Sequence, residues 1–281
     1  MEIQPLDQAV NYALKKKAIL DGSKLQYLTR AALSGVYIGF GIMISYRIAE
    51  PFFEVHSPAT YLMTGLFFGI ALLLIMYGGG ELFTGNTMAF TISTLKGATT
   101  WKDTFRNWIA CYSGNFIGAI FFATMIMLTG LYGSPEKTKW LMESASLKMN
   151  APTYQVFFRA ILCNWLVCLA IWIPMNVKGD GSKIASMMLL VFGFVVSGYE
   201  HSIANLVLFS LALVVPHPET ISVTQAIANI IPVTFGNIIG GAVFVGVINV
   251  FLASKPKTKQ TIEAVEAEEA KVNQISKVKA Y

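Results

Sequence analysis

Two polar, glycine-bearing stretches interrupt apolar runs of membrane length: Gly78 to Asn86 (GGGELFTGN) and Gly198 to Asn205 (GYEHSIAN). Each places a Glu five residues ahead of an Asn, and Glu81/Glu200 and Asn86/Asn205 share one offset of 119 residues. Backbone N–H and C=O groups without helical partners are costly in hydrocarbon. Such breaks persist where protein buries them or where they line a cavity. Their repetition predicts two related halves building one path.

The rest of the chain fits a bilayer. Hydrophobic residues make up 54% of the 281 and charged residues 13%, against about a quarter charged in soluble domains. The net charge of +5 comes from basic residues in loops and tails between apolar runs, which argues for lipid and against nucleic acid as a partner. Cys111, Cys163 and Cys168 all lie inside apolar segments. They read as buried thiols, with no disulfide framework, metal site or cofactor implied. The first apolar run starts near Ala31, behind a Lys-rich leader, and is expected to be a retained span.

Six apolar segments stand out: 31–49, 61–80, 108–131, 156–175, 184–213 and 228–252. A spanning helix needs about 20 residues. Segments one, three, four and six reach that length uninterrupted, whereas two and five are expected to be discontinuous helices, a device of transport proteins. Segments three and six carry Gly114-Asn115 and Gly236-Asn237, offset by 122, so repeats 31–131 and 156–252 match. Three spans is an odd number, so the second copy must be inverted. The fold class is therefore an all-α membrane protein of six spans with inverted three-span repeats and two broken helices. Residues 1–30 form an N-terminal region with an amphipathic helix over 6–20, and 253–281 a charged tail. Lys and Arg concentrate at both termini and in the loops after segments two and four, which predicts cytoplasmic termini.

Half-helix N-termini meeting at mid-depth would favour an anion. His201 is the only histidine within the spans, and an imidazole can donate a hydrogen bond or a proton to a small weak-acid anion. Thr84 lies in the first break near the place that His201 holds in the second. Glu81 and Glu200 can carry protons or, more simply, accept the freed backbone N–H groups. Asn86, Asn205 and Asn115 are read as braces for the loops. Asn237 can brace or touch substrate. Lys148 is by default a solvated lysine.

The strings GGELFTGNTM (79–88), CNWLVCLAIW (163–172), SGYEHSIANL (197–206) and IPVTFGNIIGGAVFVG (231–246) resemble the formate/nitrite transporter family. The resemblance covers residues 6–252 and implies an aquaporin-like six-span protomer in a homopentamer, one path per protomer. It implies that His201 is the central histidine and that Thr84, Leu82 and Phe83 belong to the interrupting loop. Asn164 and Asn237 become polar residues near the path, and Lys148 an anion attractor at the outer vestibule. Phe68, Leu72, Val167 and Phe194 become residues of two hydrophobic constrictions, with Leu82 and Phe83 beside them. The loop and the segment 151–168 look closer to nitrite-type than to formate-type members, although Asn86 departs from the His of nitrite channels.

The expected function is transport of a small monovalent weak-acid anion, nitrite first, across a bacterial plasma membrane, with a proton as possible companion. Formate is the alternative, with hydrosulfide, acetate and lactate behind it. A neutral-solute channel of aquaporin type is a reading of another class, disfavoured because the breaks lack an Asn-Pro-Ala pair. No nucleophile–base pair or nucleotide loop points to an enzyme.

Overall fold

The computed structural model describes residues 3–254; the tail, apart from its first two residues, lies outside them. Every regular element among the described residues is helical. An amphipathic helix, α1 (Ile3–Gly22), is followed by α2 (Lys24–Glu54), which starts where Ser23 Oγ accepts the Gln26 N–H at 3.2 Å. Next come α3 (Thr60–Phe68), α4 (Ile70–Tyr77), α5 (Phe83–Leu95) and α6 (Trp101–Leu128). A Thr100–Asp103 capping box opens α6. Then follow α7 (Lys139–Met149), α8 (Thr153–Trp172), α9 (Asp180–Val196), α10 (Ser202–Val214), α11 (Val223–Ile239) and, after a π-helical stretch, α12 (Ile248–Leu252).

Among the described residues, five helical stretches are long and apolar enough to cross a membrane: Lys24–Glu54, Thr60–Tyr77, Trp101–Leu128, Thr153–Met175 and Val223–Leu252. The remaining apolar helices are shorter. α9 has 17 residues and α10 has 13, separated by the second polar stretch. α4 and α5 flank the first.

Packing sets which helices meet. α2 lies along α6, and α8 along α11. Both crossings are close because glycine faces backbone. A Cβ on Gly118 would stand 1.9 Å from the Ala32 carbonyl oxygen, and one on Gly240 2.3 Å from that of Ile161. Without a hydrophobic drive between helices in lipid, such close approach is what holds spans together.

Three departures from the sequence expectations have physical causes. Segment two loosens its helical hydrogen bonding at Gly69, whose backbone stays helical (φ −57°, ψ −23°) and where a Cβ would strike Met188 of α9 at 2.5 Å. Segment six relaxes to π geometry over Gly240–Val247, where Gly241 passes 2.1 Å from Thr87 Oγ1 by the same test. An ordered helix, α7, stands where an outer loop was expected. It is held down by Trp140, whose backbone N–H donates to the Glu50 carboxylate and whose ring stacks on Tyr46 at 6.0 Å.

α1 is amphipathic as expected. It buries Leu6, Ala9, Ala13, Lys16 and Leu20 against the bundle, and Asp21 binds Lys17 and Arg106 of α6. Hydrogen bonds from Lys17 and Arg106 hold the exposed Asp21 carboxyl below its usual range.

Gly118→Ala should lower the melting temperature and the yield of folded protein in detergent, as overpacking costs about 1–3 kcal/mol. Gly181→Ala, where a Cβ meets nothing within 4 Å, should leave both unchanged.

Candidate anion path

The two breaks are built alike. Gly79 (φ +74°) and Gly198 (φ +69°) take the left-handed backbone that turns the chain out of α4 and α9. The Glu81 N–H then donates to the Arg30 carbonyl at 3.1 Å, and the Glu200 N–H to that of Arg159 at 3.5 Å. Asn115 spans the first break. Its Oδ1 accepts the Phe83 N–H at 3.0 Å, and its Nδ2 donates to the carbonyls of Glu81 and Ala31 at 2.7 and 2.8 Å. Asn237 spans the second in the same manner, with the Ser202 N–H at 2.8 Å and the carbonyls of Glu200 and Ala160 at 2.9 and 2.8 Å.

These braces change two readings. The Phe83 and Ser202 N–H groups end on asparagine oxygens, and that of Ala204 ends on His201 Nδ1 at 3.1 Å, so none of the three is free for an anion. The glutamates also do not gather the freed backbone. The Glu81 carboxylate pairs with Lys16 of α1, and that of Glu200 with Lys148 of α7 at 2.9 Å. Lys148 is thus ion-paired and not a solvated lysine. Asn205 bonds Glu200 and Asn229, whereas Asn86 bonds Tyr27 and Asn107.

Three cavities lie in series along α3 and α4. Thr64 and Phe68 line the first, of about 70 Å³, under α7. Phe68, Leu72 and Ile75 line the second, of about 20 Å³. Met76 and Tyr77 line the third, of about 460 Å³, beside α1. α9 runs the other way, giving Phe194 to the first two, Val191 to the second, and Met187 with Lys183 to the third. The middle chamber joins Phe68, Leu72, Leu82, Val167 and Phe194 in one apolar wall, and His201 is its polar member.

His201 caps α10. Since Nδ1 accepts the Ala204 N–H, the neutral ring carries its proton on Nε2, 3.0 Å from Thr84 Oγ1. Phe194 lies over the ring at 5.9 Å, 21° from parallel, so capping, stacking and the threonine together fix its orientation. Its counterpart by the 119-residue offset is Leu82, which caps α5 with nearly the same backbone, φ −109° and ψ 123° against −110° and 116°. Leu82 and His201 therefore face the chamber from equivalent places, and Thr84 stands behind His201.

Three expected path residues lie elsewhere. The Phe83 ring packs on Tyr112 at 5.0 Å, away from the constriction. Asn164 lines none of the three cavities. Its Nδ2 ties the Thr84 carbonyl, Thr87 Oγ1 and the Asn237 carbonyl together. Asn237 is the brace described above.

Sequence reasoning missed Lys16, Ile38, Ile75, Val191, Asn107 and Asn229. For Lys16 the signal existed, because positions 6, 9, 13, 16 and 20 fall on one helical face. Asn107 and Asn229 share the 122-residue offset of Asn115 and Asn237.

A family model described as Formate/nitrite transporter matches residues 4–251. An uncharacterized transporter of Bacillus subtilis, YwcJ, is 46% identical over 246 residues, 88% of this chain and 96% of its own. The nitrite transporter NirC of Escherichia coli is 36% identical over 226 residues, 79% of this chain and 81% of its own. Among solved structures, an FNT family ion channel aligns with a TM-score of 0.84 at 30% identity, over 89% of this chain and 99% of that one. A pentameric formate channel with formate bound aligns with a TM-score of 0.70 at 28% identity, over 87% and 99%. The chain belongs to the formate/nitrite transporter family.

Proposed function

We propose that this protein carries small monovalent weak-acid anions across a bacterial inner membrane, with nitrite as the favoured substrate. The observation that supports this most is the middle chamber: a space of about 20 Å³, apolar except for His201, between two wider cavities. One water needs about 10–15 Å³ by this measure, so a hydrated ion does not fit and a two- or three-atom anion does. Entering it means shedding water, and the group that offers a replacement is His201, its ring held by Phe194 and the Ala204 cap. Its Nε2–H rests on Thr84 Oγ1 at 3.0 Å and donates to the anion in exchange for that bond. Lys148, at the mouth under α7, raises the local concentration of anions before the constriction.

The paired breaks support a six-span protomer of two inverted three-span halves with an aquaporin-like arrangement. The α1 mouth and both termini face the cytoplasm in this reading, following the Lys and Arg excess. A pentameric relative supports a homopentamer. Nitrite is favoured by the likeness to a nitrite transporter. Formate is the second reading, favoured by the likeness to the formate channel.

Flux of nitrite, formate and hydrosulfide into liposomes holding the protein, at two pH values, tests this. Nitrite should move fastest, and acidification of the lumen in the same assay reports a proton carried with it. Fast osmotic swelling without anion flux would instead identify a neutral-solute channel. His201→Phe removes the one polar side chain that lines the chamber. It should cut anion flux by roughly tenfold or more, the worth of a hydrogen bond to a charge, and wild-type flux in this variant would sink the assigned role. Leu72→Ala should widen the chamber and admit chloride, seen as a loss of nitrite-over-chloride preference with folded yield retained.

A further inference from the structure

The first cavity holds a polar pair that the path described above does not use. Tyr46 of α2 and Ser144 of α7 approach at 2.7 Å, Oη to Oγ, and both residues line the cavity under α7. Ser144 lies four residues before Lys148, hence on the same face of α7, and Lys148 lines the cavity as well.

Two hydroxyls carry two hydrogens. Their mutual bond uses one, and the other has no acceptor among the described residues. Some helical hydroxyls turn back to a carbonyl one turn earlier, as at Thr64, Thr91 and Thr124, and Ser34, Ser45, Ser93 and Ser202 are buried without a partner among the described residues. Tyr46 and Ser144 differ from the latter in lining the cavity that Lys148 also lines. Ser144 makes no such bond, because Tyr46 draws it into the cavity. The neighbouring Thr64 is already engaged, since it gives its hydrogen to the Thr60 carbonyl and accepts the Trp140 indole N–H at 2.9 Å.

The pair is also held in place. The Trp140 ring stacks on Tyr46 and stands edge-on to Tyr61 at 5.0 Å. Asn229 fixes the far end of α7 through the Lys148 carbonyl at 2.8 Å. An O–H without an acceptor, in a cavity of about 70 Å³ that the Glu200-paired Lys148 also lines, suits a small anion with oxygen acceptors.

We propose that Tyr46 and Ser144 form, with Lys148, a loading site that takes an oxyanion by one hydroxyl hydrogen and the ammonium before it enters the chamber of His201. This rests on the transport reading above. The site removes part of the hydration shell in advance and favours oxygen acceptors, nitrite or a carboxylate, over hydrosulfide. Either hydroxyl alone can supply the hydrogen, so the two act as alternatives.

Concentration series of nitrite and hydrosulfide flux in liposomes test the pair. Tyr46→Phe and Ser144→Ala alone should each raise the half-saturating nitrite concentration less than about threefold. The double variant should raise it roughly tenfold, one hydrogen bond to a charge. Its maximal nitrite rate and its half-saturation for hydrosulfide should stay within about twofold of wild type. An unchanged nitrite half-saturation in the double variant, or an equal rise for both anions, would overturn the proposal and leave the transport reading standing. A fall in maximal rate alone would overturn it too, since a merely structural role for the pair predicts that. No anion flux by the wild type would overturn both.

Discussion

Everything that faces the path depends on how two broken helices satisfy their backbone. Water is absent at that depth, so each freed N–H and C=O must find a protein partner or cost several kcal/mol. One asparagine per half does this, Asn115 and Asn237, each with one accepted and two donated hydrogen bonds. A carboxamide suits the task because it offers donors and an acceptor without charge. With the backbone satisfied from behind, the loop side chains are released for other work. Leu82 and His201 can then face the chamber as caps.

The same economy explains the charges. Glu81 and Glu200 are 3% and 1% exposed, which no unpaired carboxylate tolerates. Each takes its counter-charge from a helix outside the five long spans, Lys16 on α1 and Lys148 on α7. Buried ion pairs are poor sources of net stability, but breaking one by removing a partner is strongly destabilising. They therefore act as registers, fixing α1 at one mouth and α7 at the other. Lys148 is more open than Lys16, with its side chain 22% exposed against 4%, so the pair under α7 can hold its register and still show an ammonium to the cavity.

The two breaks and their shared offset were legible in the sequence, because an interruption of an apolar run is visible wherever it lies. The direction a side chain takes was not. Asn237 read equally well as path or brace, Asn164 came near the path through family resemblance alone, and only the fold turned both toward backbone. The constriction residues Phe68, Leu72, Val167 and Phe194 were visible through family resemblance alone, since an apolar residue facing a chamber looks like one facing lipid. Lys16 was hidden by its neighbours Lys15 and Lys17, which made a helical stripe look like a basic run. α7 was hidden because it is neither apolar enough for a span nor rich in turn residues, and its order comes from Trp140 gripping α2 and α3.

The two breaks are built alike but carry different side chains at their helix caps. Where half one presents Leu82, half two presents His201, on backbones within a few degrees of each other. A symmetric pair of histidines would give an anion two donors in a nearly dry chamber and hold it there. A symmetric pair of leucines would offer nothing in exchange for lost water. Conduction needs a site favourable enough to enter and weak enough to leave. One donor against an apolar wall meets both conditions. The paired breaks supply the rigid frame, and His201 opposite Leu82 supplies a site that an anion can occupy briefly.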